Sequence, residues 1–183
     1  MICPLSEKEL AEFVDKLISA AQGAGVPIRL DQVRAEILPA PHRQPKNLPP
    51  GKQAIYWFCL GSRTLKVGRV GPKSGPRYTS QHYNSKSSQS NLAKSVLKNR
   101  TIVQALAPPD CEKLLRNVSD GTVGDWIKHS TTRINLILDS NLTDRTVSFL
   151  ESLIHQWLNP VFEGRLRRVS DVDGPNGATQ GQN

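Results

Sequence analysis

Apolar residues recur along this chain with two different periods. Leu10, Phe13, Val14, Leu17 and Ile18 fall at three- and four-residue steps, the spacing of one helix face. Ser6 followed by Glu9 reads as a capping box that opens this helix, and Gly23 and Gly25 end it. From Ala54 the period drops to two. Ile55, Trp57 and Cys59 alternate with Tyr56, Phe58 and Leu60, and on the return Leu65 and Val67 alternate with Lys66 and Gly68. This pattern predicts a β-hairpin, Ala54–Cys59 turning into Arg63–Arg69. Short helices are expected over Asp31–Leu38, Asn91–Lys98 and Val123–His129, and a strand over Arg133–Leu138. Thr143 is placed to cap a last helix that runs to Leu158 and stops at Asn159-Pro160. Val70–Ser90, rich in Gly, Pro and Ser, reads as a loop or a short helix.

The sum is an α+β chain: a small, mostly antiparallel sheet with a central hairpin, flanked by helices, plus an N-terminal helical extension. Pro39, Pro41, Pro45, Pro49 and Pro50 mark a linker. The expected divisions are 1–50, 51–169, and a polar, Gly-rich tail, 170–183, expected to be disordered. Hairpin register decides which side chains can meet. A three-residue loop, Leu60-Gly61-Ser62, would set Tyr56 opposite Lys66 on one face. A two-residue loop, Gly61-Ser62, would put them on opposite faces.

Charge narrows the classes. The formal net charge is +8, which favours a polyanion as partner, nucleic acid before an anionic membrane surface. No run of eighteen apolar residues is present. The N-terminus lacks the pattern of a signal peptide. The cysteines, Cys3, Cys59 and Cys111, are far apart with no CxxC pair. That argues against a disulfide framework or a cysteine-rich zinc site, makes Cys59 a small core residue, and suits the cytoplasm. From Gly51 to Arg100 the chain carries ten Lys or Arg and no Asp or Glu. Arg63, Arg69, Lys73, Lys86, Lys94, Lys98 and Arg100, with Tyr78, are the candidate nucleic-acid contacts; a solvated face would ordinarily mix signs.

The same window holds a phenol, an amine and a guanidinium in order: Tyr56, Lys66 and Arg77. Phosphodiester hydrolysis needs an activated water, charge relief on the phosphorane, a stabilised leaving oxygen and, usually, a divalent metal. Tyr56 is a candidate general base, since a nearby ammonium can lower a phenol's titration by roughly 1–3 units. The guanidinium of Arg77 suits two phosphate oxygens. The carboxylate must come from elsewhere. Glu151 sits at the edge of the apolar stripe Val147, Leu150, Ile154 and Leu158 on the last helix, and it is a hard donor suited to Mg²⁺ or Mn²⁺. His155, one turn on, is a second candidate ligand, though a lone helical histidine is more often structural.

These residues resemble the GIY-YIG nucleases: Ala54-Ile55-Tyr56, Lys66-Val67-Gly68, Arg77 followed by His82, then Glu151-x-Leu153-Ile154 with Pro160 beyond. The resemblance covers Gly51 to Gly164. Ala54 stands for the first glycine of the motif. Lys66 stands for the second motif's tyrosine, as in the restriction-enzyme branch. His82 lies one position beyond the family's usual His or Tyr, which is Gln81 here, and Tyr78 is a rival for that role. The place of the family's closing asparagine is held by Glu163, with Asn159 nearby. The resemblance implies a Mg²⁺-dependent endonuclease cutting double-stranded DNA, with catalytic Tyr56, Lys66, Arg77, His82 and Glu151 and with Glu151 on the metal. It also suggests a homodimer. A binding module of the same fold, or a nuclease on single-stranded, branched or RNA substrates, are the other readings.

Overall fold

The computed structural model describes residues 2–4, 6–87 and 90–162; Glu163 and the tail from Ser170 lie outside them. α1 (Glu7–Gly23) opens as its sequence predicts, with Ser6 and Glu9 capping each other. A 3₁₀ turn, Leu30–Gln32, leads into β1 (Val33–Leu38). The hairpin is β2 (Lys52–Leu60) and β3 (Arg63–Val70). A run of short helices comes next: α2 (Gly75–Thr79), a 3₁₀ turn (Gln81–Tyr83), α3 (Leu92–Lys98), α4 (Arg100–Leu106), α5 (Pro109–Leu115) and α6 (Val123–Ser130). β4 (Thr132–Asp139) and α7 (Asp144–Leu158) complete the described chain. The strands form one antiparallel sheet in the order β1-β4-β2-β3. Among the described residues no helix is long and apolar enough to cross a membrane.

Three expectations are corrected. Val33–Leu38 is a strand rather than a helix. Val33, Ala35 and Ile37 alternate with Arg34 and Glu36, and pairing with β4 along its whole length turns those three toward the core. The first fifty residues therefore supply an edge strand to the same sheet that holds the hairpin. The cysteine arithmetic missed a bonded pair. Cys3 and Cys59 are joined with their Cα atoms 6.5 Å apart, within the reach of a disulfide, because the N-terminal segment lies back along the hairpin and the Cys3 N–H donates to Ser62 O. Finally, the hairpin closes through the two residues Gly61-Ser62, with Leu60 opposite Arg63.

That short turn should have separated Tyr56 from Lys66. It does not, because Cys59 pairs with Thr64 while Phe58 pairs with Lys66, leaving Leu65 as an extra residue, a β-bulge. The bulge shifts the rest of β3 by one. Trp57 and Val67 then pair on one face, while Phe58–Lys66 and Tyr56–Gly68 pair on the other.

Each face has its own helices. Ile55, Trp57, Val67, Ile134, Leu136 and Leu138 pack against α1 and against Val147, Leu150 and Ile154 of α7. Each fully buried aliphatic side chain there contributes roughly 1.5–3 kcal/mol. Tyr56, Phe58 and Leu65 pack against Tyr78, Tyr83, Val96, Val123 and Ile127 from the helical run. α6 comes so close to the 81–83 turn that a Cβ on Gly124 would overlap the Tyr83 carbonyl oxygen. Because that clash is with backbone, Gly124→Ala is expected to destabilise the fold by about 1–3 kcal/mol. Urea unfolding at neutral pH checks this; an unchanged midpoint would count against the packing described.

Candidate active site

The site grows from a row across the sheet. Glu36, Asn135, Tyr56 and Gly68 are successive cross-strand partners on β1, β4, β2 and β3, so all four occupy the face covered by the short helices. β3 is the outer strand. Gly68 carries no side chain, and the end of the Tyr56 ring fills the space: a Cβ on Gly68 would lie 2.9 Å from the phenolic oxygen. The phenol is thus carried from the middle of the sheet to its edge.

Two donors meet the phenolic oxygen there. His82 Nε2 lies 2.6 Å from it, and Arg77 Nε donates to it at 3.4 Å. The tautomer of His82 is set by its other nitrogen. The Leu92 N–H, one of the free donors at the start of α3, donates to His82 Nδ1 at 3.2 Å. The ring proton is therefore on Nε2, and His82 donates to Tyr56. Burial holds His82 well below its ordinary titration, and the charges of Arg133, Lys66 and Arg77 push the same way, so the ring is neutral. Tyr56 feels opposing influences. Burial raises its phenol above the ordinary value; the Arg77 guanidinium, by charge and hydrogen bond, and Arg133 pull it back, and the Glu151 carboxylate adds to the rise.

Lys66 shares this face, but its hydrogen bond goes to neither Tyr56 nor an acid. Its Nζ donates to Ser90 Oγ at 3.2 Å. Only 5% of the residue is exposed, and burial, with Arg77 nearby, lowers its titration. The cations that act on Tyr56 are Arg77 and Arg133, rather than Lys66 as the expected register would have it. Glu151 approaches the same edge from α7, in the layer beneath. Its Oε2 pairs with Arg69 Nε at 3.1 Å, and Arg69 also holds Asp144 at 2.5 Å. Burial raises the Glu151 carboxyl above its ordinary value against the pull of Arg69, His155 and Arg77. Tyr56, Arg77 and Glu151 therefore lie close enough for their charges to act on one another.

Among the described residues no three His, Cys, Asp or Glu side chains gather as a metal-ligating group. The side chains that could hold one are Glu151 and His155, which line the same hollow. A single carboxylate suits Mg²⁺ or Mn²⁺, which keep waters and take further oxygens from phosphate; one Glu151 oxygen is already shared with Arg69.

The candidate nucleic-acid contacts divide. Arg63, Lys73, Lys86 and Lys98 are exposed, as is the catalytic candidate Arg77, and Lys94 is half-buried. Three residues turn inward instead. Arg69 is engaged by α7 acids, Arg100 donates to Val118 O at 2.5 Å, and Tyr78 is buried, donating to Glu36 Oε1 at 3.4 Å with its phenol pushed up to about 12. Tyr78 is also not the hydrogen-bond partner of Tyr56; His82 is. Lys52 pairs with Asp139, so a window without acids in sequence still meets acids in space.

Sequence reasoning missed one residue altogether. Arg133, on β4, is fully buried, with its guanidinium 5.0 Å from the Tyr56 ring centre and 4.7 Å from that of Tyr78. The only signal was an arginine near the start of a mostly apolar strand. Compared with family models, with curated proteins and with solved structures, the chain matches none.

Two outcomes are expected. Gly68→Ala should displace the Tyr56 hydroxyl, breaking its His82 and Arg77 contacts at a cost of about 1–3 kcal/mol, read by urea unfolding and by the shift of the tyrosine ring signals in NMR. Second, His42 and His82 are both held below the ordinary histidine value near 6.5 by burial. The unfolded chain then takes up protons that the native state refuses, so stability falls as pH drops below that value. The slope approaches about 1.4 kcal/mol per pH unit for each histidine. Unfolding midpoints at pH 5 and pH 7 measure this, and His82→Gln should flatten the difference; an equal slope in that variant would remove His82 from the account.

Proposed function

We propose that this chain is a divalent-metal-dependent endonuclease of the GIY-YIG type, acting on double-stranded DNA. The observation that carries this reading is the phenolic oxygen of Tyr56. It is buried at the β3 side of the sheet, held there by two N–H donors, one of them from the exposed Arg77, within electrostatic reach of the carboxylate of Glu151, among cations.

Tyr56 takes the proton of the attacking water. Two aimed N–H groups favour the phenolate over the phenol, which offsets part of the cost of burial. His82 cannot relay that proton through Nε2, since Nε2 already carries one; it orients and stabilises the phenolic oxygen instead. Arg77, exposed and next to the phenol, balances charge on the phosphorane. Lys66, a buried ammonium on a neutral hydroxyl, supplies a second positive charge to a phosphate entering the cleft. A Mg²⁺ or Mn²⁺ ion held by Glu151 would supply charge relief for the leaving oxygen. The exposed lysines and arginines around the site position the backbone of the duplex. One such site per chain suits two copies cutting two strands.

The Arg69–Glu151 pair favours a second reading, a binding module of the same fold that does not cut, because the carboxylate is already neutralised. Incubating supercoiled plasmid with the protein and Mg²⁺ or Mn²⁺ separates the two: nicked or linear product supports the nuclease, and retained binding with no cleavage across metals supports the module. Tyr56→Phe and Glu151→Gln should each lower the cleavage rate by at least about 100-fold with DNA affinity little changed. Cleavage should also rise with pH through the neutral range, since the raised phenol gains phenolate and the raised Glu151 carboxyl must be ionised to hold a metal. A flat pH–rate profile would argue against Tyr56 as base.

A further inference from the structure

We propose that Arg133 is a positioning residue for Tyr56, a fixed cation under the phenol ring that stabilises negative charge on it. As a positioning role this rests on the nuclease reading; the electrostatic coupling itself does not.

A buried guanidinium is costly unless its donors are met, and hydrogen bonds meet two of its five N–H groups. Arg133 Nε donates to Asn135 Oδ1 at 2.9 Å and Nη1 to the Tyr83 hydroxyl at 3.2 Å, while Nη2 has no hydrogen-bond partner. The charge instead lies over aromatic faces, 5.0 Å from Tyr56, 5.3 Å from Phe58 and 4.7 Å from Tyr78. The face of a neutral ring attracts a cation modestly. A phenolate attracts it far more, because the ring then carries a full charge in a dry setting. Among these rings Tyr56 alone has its oxygen aimed at further donors.

The remaining bonds keep the guanidinium in place. The Tyr83 hydroxyl donates to His42 Nε2 at 2.9 Å, and His42 Nδ1–H donates to Thr131 O at 2.7 Å. On the other side Asn135 Nδ2 donates to Glu36 Oε1 at 2.9 Å. The carboxylate of this network is thus one residue removed from Arg133, through an amide that transmits orientation without cancelling charge. The titratable and charged groups facing Tyr56 are Arg77 and Tyr78 from α2, His82 from the 3₁₀ turn, Lys66 from β3, Arg133 from β4 and Glu151 from α7. Those around Arg133 are the three tyrosines, His42, His82 and, through Asn135, Glu36.

The chain has only three tyrosines, so each can be followed. Biosynthetic replacement by 3,5-difluorotyrosine brings the phenols into an accessible pH range, and ¹⁹F NMR with Phe variants assigns them. Arg133→Met should raise the Tyr56 titration by at least about one pH unit. A smaller rise in the folded variant overturns the proposal. Should Arg133→Met fail to fold, Arg133→Gln decides, since it removes the charge but keeps a polar side chain beside Asn135 and Tyr83. It must raise the Tyr56 titration in the same way, and no rise overturns the proposal. In the unlabelled protein, Arg133→Met should cut plasmid cleavage at saturating DNA at least about tenfold with DNA affinity held within about twofold. If the wild-type protein cuts nothing, the nuclease reading fails while the fluorine titration still decides the coupling.

Discussion

Tyr56 reaches the edge of the sheet because Gly68, its partner on the outer strand, offers no side chain to stop it. Everything chemical depends on that crossing. A central-strand residue is rigid but ordinarily sealed; an edge position is open but ordinarily loose. Laying a long aromatic side chain across a glycine joins the two: the residue stays buried, and its oxygen lies beside the exposed Arg77. The arrangement depends in turn on Leu65. Without that extra residue the two-residue turn would put Val67 opposite Tyr56, and the outer strand would present a branched side chain where the ring now lies.

The electrostatics of the rim are unusual in one respect. Lys66 and Arg133 are both buried, and the partners that meet them first are a serine hydroxyl, a tyrosine hydroxyl, an amide and aromatic faces. A fold that only needed stability would gain more from apolar residues at those positions. Two sequestered cations beside a neutral imidazole and a protonated phenol leave a local excess of positive charge. That excess suits a ligand that brings negative charge with it, and it tilts the phenol toward ionisation by the same means. The Arg69–Glu151–Asp144 cluster is the counterweight: it places the nearby carboxylates under one guanidinium at the outer strand.

Much of the fold was legible because its signals are local. The Ser6–Glu9 box, the Thr143 cap, the αL stop at Asn159 and the strand around Leu136 each arise from a few neighbouring residues. The misreadings share a cause. Val33–Leu38 is too short to tell period two from period three and a half by apolar positions alone, and its pairing with β4 is a contact about a hundred residues away. The Cys3–Cys59 bond and the bulge at Leu65 are likewise decided by tertiary geometry. In the candidate site, Tyr56, Arg77, His82 and Glu151 were legible as residue types in an order. The direction of the hydrogen bond between His82 and Tyr56 was not, because it is fixed by the Leu92 N–H. Arg133 was invisible for the opposite reason: nothing in a single arginine on a strand says that it points inward under three rings.

The inward arginine also bears on why the two polar systems of this face stay separate. One chain of hydrogen bonds runs from Thr131 through His42, Tyr83, Arg133 and Asn135 to Glu36; another joins Leu92, His82, Tyr56 and Arg77. They meet only through space, where the guanidinium lies over the Tyr56 ring. A hydrogen-bonded link would have offered the phenol a direct route for its proton. A cation over the ring changes the phenol's affinity for that proton without offering it anywhere to go. A proton taken up by the buried phenol would then have to leave past Arg77, the exposed side chain at its oxygen.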